Sequence, residues 1–306
     1  MRKLIPLLMI AIALSAFVLV KGPTVGATGG ASKVLLAASE GPSIGAFLKA
    51  KLEAEGIPTV DVLMSSHAPA PPLATLLEYD TVIAWSDSPF DTGTAWGDVL
   101  ADYVDAGGGL IINTFAFYTT PPYQLEGRIM TPGYSPLTPI QSVFGTSSLG
   151  AHDSSHPIMA GVTTVTSWYR DHTALDVGAT LVASWADGRH MVAHNADCNI
   201  VGITLWPGRE ITPTSPYGWG GDVPRLFANA ANFVADGCVV DTDGDGVLDD
   251  VDACPDVAGS LASGCPNKAE ILSVSGVDGK GIANAPGLQK GFNPKSKATE
   301  NAGKKK

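Results

Sequence analysis

Near the end of the chain, twelve residues from Asp241 to Asp252 (DTDGDGVLDDVD) have the spacing of a cation-binding loop. Acidic side chains occupy loop positions 1, 3, 5, 9 and 12, and Gly246 at position 6 permits the sharp turn. A hard cation such as Ca²⁺ takes roughly six to eight oxygen ligands, which a loop of this pattern supplies. The expected Ca²⁺ ligands are Asp241, Asp243, Asp245, the backbone carbonyl of Val247, Asp249 (directly or through a water) and Asp252.

The alternative for this segment is a solvated acidic linker. Without a cation the carboxylates, including Asp250, repel one another, so we expect the loop to be ordered only with metal bound. The pairing of this spacing with glycine at the turn favours the calcium loop over the linker.

The residues after the loop extend the motif. Ala253, Cys254 and Pro255 complete a DxDxDGxxDxxDxCP string, and a second Cys-Pro pair follows at Cys265 and Pro266. Over residues 241–266 the chain resembles a single thrombospondin type 3 repeat, a calcium-binding module of extracellular and bacterial envelope proteins. Position 12 is Asp252 rather than the longer Glu of an EF-hand, and no flanking helices are evident. The resemblance implies a structural calcium site rather than a conformational sensor.

The N-terminus has the pattern of a secretory signal. Arg2 and Lys3 precede an apolar run from Leu4 to Val20, and a stretch of small residues follows. We predict a signal peptide over residues 1–27, with cleavage after Ala27, and a secreted or envelope protein. The alternative is an uncleaved membrane anchor, for which the run is at the short limit. A membrane partner is expected only in that case.

Four cysteines suit an oxidising compartment. Cys254 with Cys265 is the favoured pair because it closes a short loop beside the calcium site. Cys198 with Cys238 then ties the last helix of the large domain to a loop near its sheet. The alternative is a zinc site that uses all four, although the chain has no CxxC pair.

Charge is distributed unevenly along the chain. The net charge is −11, and residues 267–306 carry eight lysines against three acidic residues, or +5, which leaves −16 for residues 1–266. An acidic body argues against nucleic acid as a partner. The tail, residues 267–306, is rich in Gly, Ser, Asn and Lys, so we expect it to be disordered.

Between residues 33 and 237 the pattern predicts one α/β domain: an open, mostly parallel sheet flanked by helices, of the flavodoxin-like or glutamine amidotransferase-like kind. Short apolar runs alternate with amphipathic segments through short turns. The predicted strands are 33–38, 59–63, 80–85 and 110–113, and the predicted helices are 43–55, 73–77 and 92–106.

The pattern changes after Asn113. A long stretch rich in Pro, Thr and Tyr runs to about Gly150, which predicts a lid or binding surface, or an insertion with short irregular strands. Strands are then predicted at 180–185, 190–194 and 200–205, as a meander at the sheet edge. A closing helix is predicted at 222–235.

The order of elements resembles the class I glutamine amidotransferase-like fold, and more closely its trehalose-utilisation-like branch. The supporting segments are VLLAASEG, YVDAGGGLII, SHPIMAGV and the late helix ending in NFV. The family places a nucleophilic cysteine on the turn after such a strand, and this chain has Asn113, Thr114 and Phe115 there. The histidine that is usual near that turn in the trehalose-utilisation branch is missing as well. We therefore expect that the family's catalysis is not inherited.

Ligands of open parallel sheets bind outside the carboxyl ends of the strands. That rule selects three pairs of residues: Ser39 with Glu40, Ser86 with Asp87, and Asn113 with Thr114. Glu40 and Asp87, together with His172, are the candidate catalytic acids and bases.

Two further polar groups need an interpretation. His152, Asp153 and His156 are either part of a metal site or a turn in which His156 caps the segment that begins at Pro157. Arg170, Asp171 and His172 lie beside Trp168 and Tyr169. They either line a sugar-sized cleft or form an ion pair beside a packed aromatic side chain, and we favour the second interpretation.

Two functional hypotheses follow. The first is a secreted or cell-surface calcium-binding protein whose α/β domain is non-catalytic and serves ligand binding or adhesion, for example to an extracellular glycan or surface polymer. The second is an extracellular carbohydrate-active hydrolase or isomerase that uses the carboxylates at the sheet edge. We favour the first, because the chain has an intact calcium loop but lacks the family's nucleophilic cysteine at the turn after the fourth predicted strand.

Overall fold

A computed structural model describes residues 30–238, 247, 252–254 and 256–267 of the 306-residue chain. The predicted signal peptide, the basic tail and four of the six predicted calcium ligands (Asp241, Asp243, Asp245 and Asp249) lie outside these residues. The strands are β1 (Lys33–Ser39), β2 (Thr59–Met64), β3 (Thr81–Ser86), β4 (Gly109–Asn113), β5 (Leu137–His152), β6 (Val165–Leu175), β7 (Thr180–Trp185), β8 (His190–His194), β9 (Ile200–Ile203) and β10 (Trp219–Gly221). The helices are α1 (Pro42–Ala54), α2 (Leu73–Leu76), α3 (Gly93–Asp105) and α4 (Val223–Asp236).

All ten strands form one sheet, in the order β10-β6-β5-β7-β8-β9-β4-β3-β1-β2. The strands β2, β1, β3, β4 and β9 pair in parallel. Strands β3 and β4 are buried along their whole length, as expected of strands covered on both faces. The predicted open α/β sheet flanked by helices is confirmed.

The helices cover the parallel half from both sides. Leu48 of α1 and Leu226 of α4 pack in one apolar layer with Ile83 of β3. Leu100 of α3 packs in the other layer with Val82 of β3. Side chains of a strand alternate between its faces, so successive residues of β3 enter different layers.

The other half of the sheet is antiparallel, and here the sequence-based prediction needs a correction. The predicted meander exists as β7, β8 and β9, but it lies inside the sheet rather than at its edge, because β5, β6 and β10 continue the sheet beyond β7. The stretch predicted as a long loop contains β5, a strand of 16 residues. Most of its side chains are exposed or half-buried, so β5 has no apolar run to mark it.

Both predicted disulfides are present. Cys198, in the turn between β8 and β9, bonds Cys238, which follows α4. Cys254 bonds Cys265. Every cysteine of the chain is thereby paired, which rules out the four-cysteine zinc site. Among the described residues, no helix has the length and apolar character needed to cross a bilayer.

Candidate functional site

Glu40 is the first residue after β1 and lies at the carboxyl edge of the parallel strands. Its side chain is buried, with 4% of the residue exposed. One carboxylate oxygen, Oε2, accepts two indole hydrogen bonds, from Trp85 Nε1 at 2.6 Å and from Trp206 Nε1 at 3.1 Å. Trp85 belongs to β3, and Trp206 follows β9. Residues from the ends of two strands, β3 and β9, therefore hold one carboxyl group.

Burial dominates the ionisation of this group. Loss of solvation raises the pKa of Glu40 to about 7, the indole of Trp85 opposes the rise, and the nearby Asp87 adds to it. Trp206 and the Arg209 guanidinium also oppose the rise. Glu40 is thus protonated in a large fraction of molecules at neutral pH.

Asp87, the first residue after β3, lies beside Glu40 and is exposed at the surface. Partial desolvation raises its pKa, and Arg209, followed by a hydrogen bond with Glu40, lowers it. The pair therefore combines a buried carboxyl that retains its proton to near neutral pH with a surface carboxyl. Such a pair can donate and accept a proton, or hold a ligand hydroxyl.

A cluster of aromatic rings packs against Trp206, one of the two indoles that hold Glu40. The Phe115 ring, one residue beyond Thr114, is centred 5.6 Å from Tyr169 and 6.5 Å from Trp206. Tyr169 in turn lies 5.4 Å from Trp206. Further rings extend this aromatic cluster to the surface: Tyr118, Phe144 and Tyr217. Phe144 and Tyr217 are 57% and 48% exposed, so the cluster has a face open to solvent.

The other predicted sheet-edge residues have structural partners or are fully buried. Ser39 donates to the Pro89 carbonyl at 2.6 Å, and Ser86 donates to the Tyr123 carbonyl at 2.7 Å. Both hydroxyls fix the loops that follow. Asn113 is buried and donates to the Ala84 carbonyl at 3.4 Å. The side-chain oxygen of Asn113 has no hydrogen-bond partner among the described residues, whereas the Thr114 hydroxyl lies against the buried Asp171 carboxyl and lowers its pKa.

His172 does not join Glu40 and Asp87. On β6, Tyr169 contacts the aromatic cluster, whereas Arg170 stacks on Trp185 at 5.3 Å. Because side chains alternate along a strand, His172 shares the face of Arg170 and Asp171 shares the face of Tyr169. The structure therefore brings two of the three candidate catalytic residues together.

The predicted ion pair beside a packed aromatic is present with a different partner. Arg170 bonds Asp187 at 2.8 Å and the Gly145 carbonyl, and it does not pair with the neighbouring Asp171. Asp171 is fully buried, accepts a hydrogen bond from Ser142 at 2.5 Å, and has its pKa raised to about 6 by burial.

His156 caps a short 3₁₀ turn, Pro157–Met159, by accepting from the Ile158 N–H at 3.2 Å. Asp153 accepts hydrogen bonds from Ser155. No group of three or more metal-ligating side chains occurs in the described part of the chain. The turn interpretation of this segment fits these contacts, and the metal interpretation gains no support from them.

Sequence reasoning missed the indoles of Trp85 and Trp206, and also Arg209, which stacks on the Trp206 ring at 5.4 Å. Trp85 had a signal, since it is the last residue of the predicted strand 80–85 and so lies next to the sheet-edge pair Ser86 and Asp87. Trp206 and Arg209 had none, because they lie more than a hundred residues from Glu40 and no local pattern links them to it.

The sheet order and the helical crossovers define an open α/β domain, and solved structures of this kind are similar to the chain. They include a cytoplasmic protein from Salmonella typhimurium (13% identity, 66% of this chain and 98% of that chain, TM-score 0.48), a ThuA-like protein from Bacteroides uniformis (13%, 66% and 90%, 0.45) and a second ThuA-like protein, from Parabacteroides merdae (13%, 66% and 89%, 0.45). At such identities and scores the similarity carries no information about activity. No protein-family model and no curated protein matches the chain.

Proposed function

We propose that the protein is a calcium-binding protein of an extracellular or cell-envelope compartment, and that its α/β domain binds a ligand without glutamine-hydrolysing chemistry. One observation supports the absence of glutamine-hydrolysing chemistry. The turn after β4 holds Asn113, Thr114 and the buried Phe115, and all four cysteines are in disulfides. No thiol is left to act as the nucleophile.

The surface beside Glu40 has the chemistry of a glycan-binding site. Exposed rings of Phe144 and Tyr217 offer faces for the C–H groups of a sugar ring, and Asp87 and Arg209 offer hydrogen bonds to its hydroxyls. Sites of this type combine apolar surface with a few placed polar groups. We propose an extracellular glycan or surface polymer as the ligand.

Asp252 supports the calcium proposal from within the described residues. Its Oδ1 accepts from the Cys254 N–H at 2.6 Å, while Oδ2 is buried and has no hydrogen-bond partner among the described residues. A buried carboxylate oxygen in that state is costly unless a cation or donor satisfies it. A Cβ on Gly264 would overlap the Asp252 side chain, so glycine is needed there. Asp252 fits the role of a Ca²⁺ ligand, and the ion would neutralise and order the acidic loop.

The compartment is supported by two features. Both disulfides need an oxidising environment. The basic and then apolar N-terminal segment has the pattern of an export signal.

Calorimetric titration of the secreted protein with Ca²⁺ tests the calcium proposal. We expect binding that Asp241→Ala combined with Asp245→Ala abolishes and that Asp252→Asn weakens. Asp250→Asn is the matched control, because Asp250 is acidic but lies outside the ligand set. Absence of binding at millimolar Ca²⁺ would rule the proposal out.

A glycan array tests the ligand proposal. Phe144→Ala and Tyr217→Ala should each weaken binding by tenfold or more, while Val177→Ser, which changes an apolar residue that is 93% exposed in another turn, should not. Equal binding by all three variants would show that Phe144 and Tyr217 do not take part in ligand binding.

Proton-transfer chemistry on a carbohydrate is the second candidate, favoured by the pKa of Glu40 near 7. Its obstacle is access, because the two indoles cover the carboxyl group. Screening of hydrolase and isomerase substrates with Glu40→Gln and Asp87→Asn decides it. An activity that survives both variants does not come from this pair.

A further inference from the structure

A cavity lies at the opposite, amino edge of the sheet, away from Glu40. Its volume is about 540 Å³, and it lies between α4, the turn joining β8 to β9, and the 3₁₀ turn at Pro157–Met159. The polar lining consists of His156, His194, Asn229, Asn232 and Asp236, and the disulfide between Cys198 and Cys238 forms one wall. The volume falls in the range of small-molecule sites, roughly 300 to 1,000 Å³.

The backbone sets the tautomers of the two histidines. His194 Nδ1 lies 2.7 Å from the Asn195 carbonyl, which only accepts, so Nδ1 carries the hydrogen and Nε2 is an acceptor. His156 Nδ1 accepts from the Ile158 N–H, so the neutral ring carries its hydrogen on Nε2 and donates there. Neither Nε2 has a protein partner among the described residues, and both rings line the cavity. The ring centres are 5.3 Å apart.

Backbone contacts also orient the two amides and the carboxylate. Asn229 Nδ2 donates to the Ile158 and Ala160 carbonyls, at 3.1 and 2.8 Å, which leaves its Oδ1 as an acceptor. Asn232 Oδ1 accepts from the Ala31 N–H at 3.0 Å, which leaves Nδ2 as a donor. Asp236 Oδ1 accepts from the Gly30 N–H at 3.3 Å, which leaves Oδ2 as an acceptor. The cavity therefore has donors and acceptors whose orientation is fixed before any ligand arrives, which lowers the entropic cost of binding.

The walls favour a flat ligand. The Phe233 ring is centred 5.0 Å from His156 and 5.1 Å from His194, so three rings meet at one side of the cavity. Phe233 gives the lining a flat apolar element beside the edges of the two histidines, which suits a planar heterocycle. A neighbouring donor and acceptor, His156 Nε2–H and His194 Nε2, complement an adjacent carbonyl and N–H on one edge of that ring.

We propose that this cavity binds a small planar heterocycle with a lactam edge, of the pyrimidine or purine type. The lactam carbonyl accepts from His156 Nε2–H, and the lactam N–H donates to His194 Nε2. The disulfide holds the turn that carries His194 against the end of α4, so it positions the acceptor. The cavity lies at the opposite edge of the sheet from Glu40.

Calorimetric titration of the full chain with uracil and with 1,3-dimethyluracil tests this proposal. Uracil should bind, and the dimethyl compound, which keeps the ring and carbonyls but lacks both N–H groups, should bind at least tenfold more weakly. Equal binding of the two compounds, or no uracil binding at millimolar concentration, would overturn the proposal. This comparison uses the wild-type protein and needs no variant to fold.

Variants locate the site. His194→Phe and His156→Phe keep a planar ring but remove the acceptor and the donor, and each should weaken uracil binding at least tenfold. His152→Phe is the control, because His152 is exposed and lies outside the cavity lining. Unchanged uracil affinity in folded His194→Phe, with thermal unfolding used to verify the fold, would contradict the assigned hydrogen bond.

Discussion

The two edges of the parallel strands hold their polar groups in different ways. At the carboxyl edge, Glu40 is held by two indoles inside an aromatic cluster, and burial raises its pKa to about 7. At the amino edge, backbone groups fix the orientation of each polar side chain that lines the cavity. Apolar burial therefore controls the charge of a group, whereas backbone hydrogen bonds control the direction in which a side chain points.

The two arrangements therefore suit different tasks. A carboxyl group whose charge changes near neutral pH can exchange a proton or adapt to a ligand. Histidines and amides of fixed orientation discriminate by hydrogen-bond pattern.

The largest expected effect is at the amino edge. Replacing Cys198 and Cys238 with serine removes a cross-link between residues 40 apart, which should lower the free energy of unfolding by about 4 kcal/mol. The same change at Cys254 and Cys265, 11 apart, should cost about 3 kcal/mol. Denaturant unfolding measures both. The loop-length argument fails if the order is reversed, and the pKa of Glu40 should be unaffected by either change.

Glu40→Gln should have the next largest effect, and it should depend on pH. The pKa of Glu40 is about 7 in the folded protein against 4.5 ordinarily. The stabilisation that this group gives the folded state is therefore fully present below pH 4.5 and is lost as the pH rises through 7. Glutamine stays neutral and keeps an acceptor oxygen for the indoles. At pH 8 the variant should be more stable than the wild type by on the order of 3 kcal/mol, and at pH 4 the two should be equal.

Unfolding curves at several pH values measure this difference. Asp87→Asn is the comparison variant: the pKa of Asp87 is also raised, so the sign is the same, but its exposure makes the effect smaller. A stability difference between Glu40→Gln and wild type that does not change with pH would mean that burial does not control this carboxyl group.

The two indoles should contribute unequally. Trp85→Phe removes the 2.6 Å hydrogen bond and should raise the pKa of Glu40 further, while Trp206→Phe removes the 3.1 Å bond and should raise it less. We expect destabilisation of about 1 to 2 kcal/mol for Trp85→Phe. Carbon-13 NMR titration of the Glu40 carboxyl measures the pKa values.

Trp96→Phe is the matched control for the lost ring volume, because Trp96 is equally buried but donates to the Ala68 carbonyl. It should destabilise the fold without moving the pKa of Glu40. An equal pKa change in all three variants would mean that packing, rather than indole hydrogen bonding, sets the ionisation.

The parallel half of the fold could be predicted from sequence because its strands are continuous apolar runs, such as those of β3 and β4, bounded by polar or glycine-rich turns. The antiparallel half could not. Strand β5 is half-exposed and rich in Ser and Thr, and its pairing with β6 is decided by contacts distant in sequence. Local sequence patterns do not indicate which strands distant in sequence pair with each other.

The candidate site at the carboxyl edge was also predictable only in part. Glu40 and Asp87 were predictable because strand ends are visible and parallel strands end at one edge. Their protonation was not, because it depends first on burial by segments distant in sequence, and then on contacts with Trp85 and Arg209. His172 was grouped with them as a candidate, and strand alternation on β6 gives it a different face.

Asp222 gives the smallest effect and the sharpest contrast with Glu40. Backbone N–H groups of Thr163 and Thr164, each at 2.9 Å, and the Thr163 hydroxyl at 2.8 Å hold this carboxylate and lower its pKa to about 2. Its stabilising effect is present above the ordinary value of 3.8 and is lost as the pH falls through 2. Asp222→Asn should cost about 1 kcal/mol at pH 7, allowing for solvent screening of a partly exposed group, and the cost should disappear as the pH falls through 2. Stability differences from the wild type should therefore grow with pH in both variants but with opposite signs, since Glu40→Gln stabilises and Asp222→Asn destabilises. Equal signs at pH 8 would contradict the division between carboxylates held by burial and carboxylates held by the backbone.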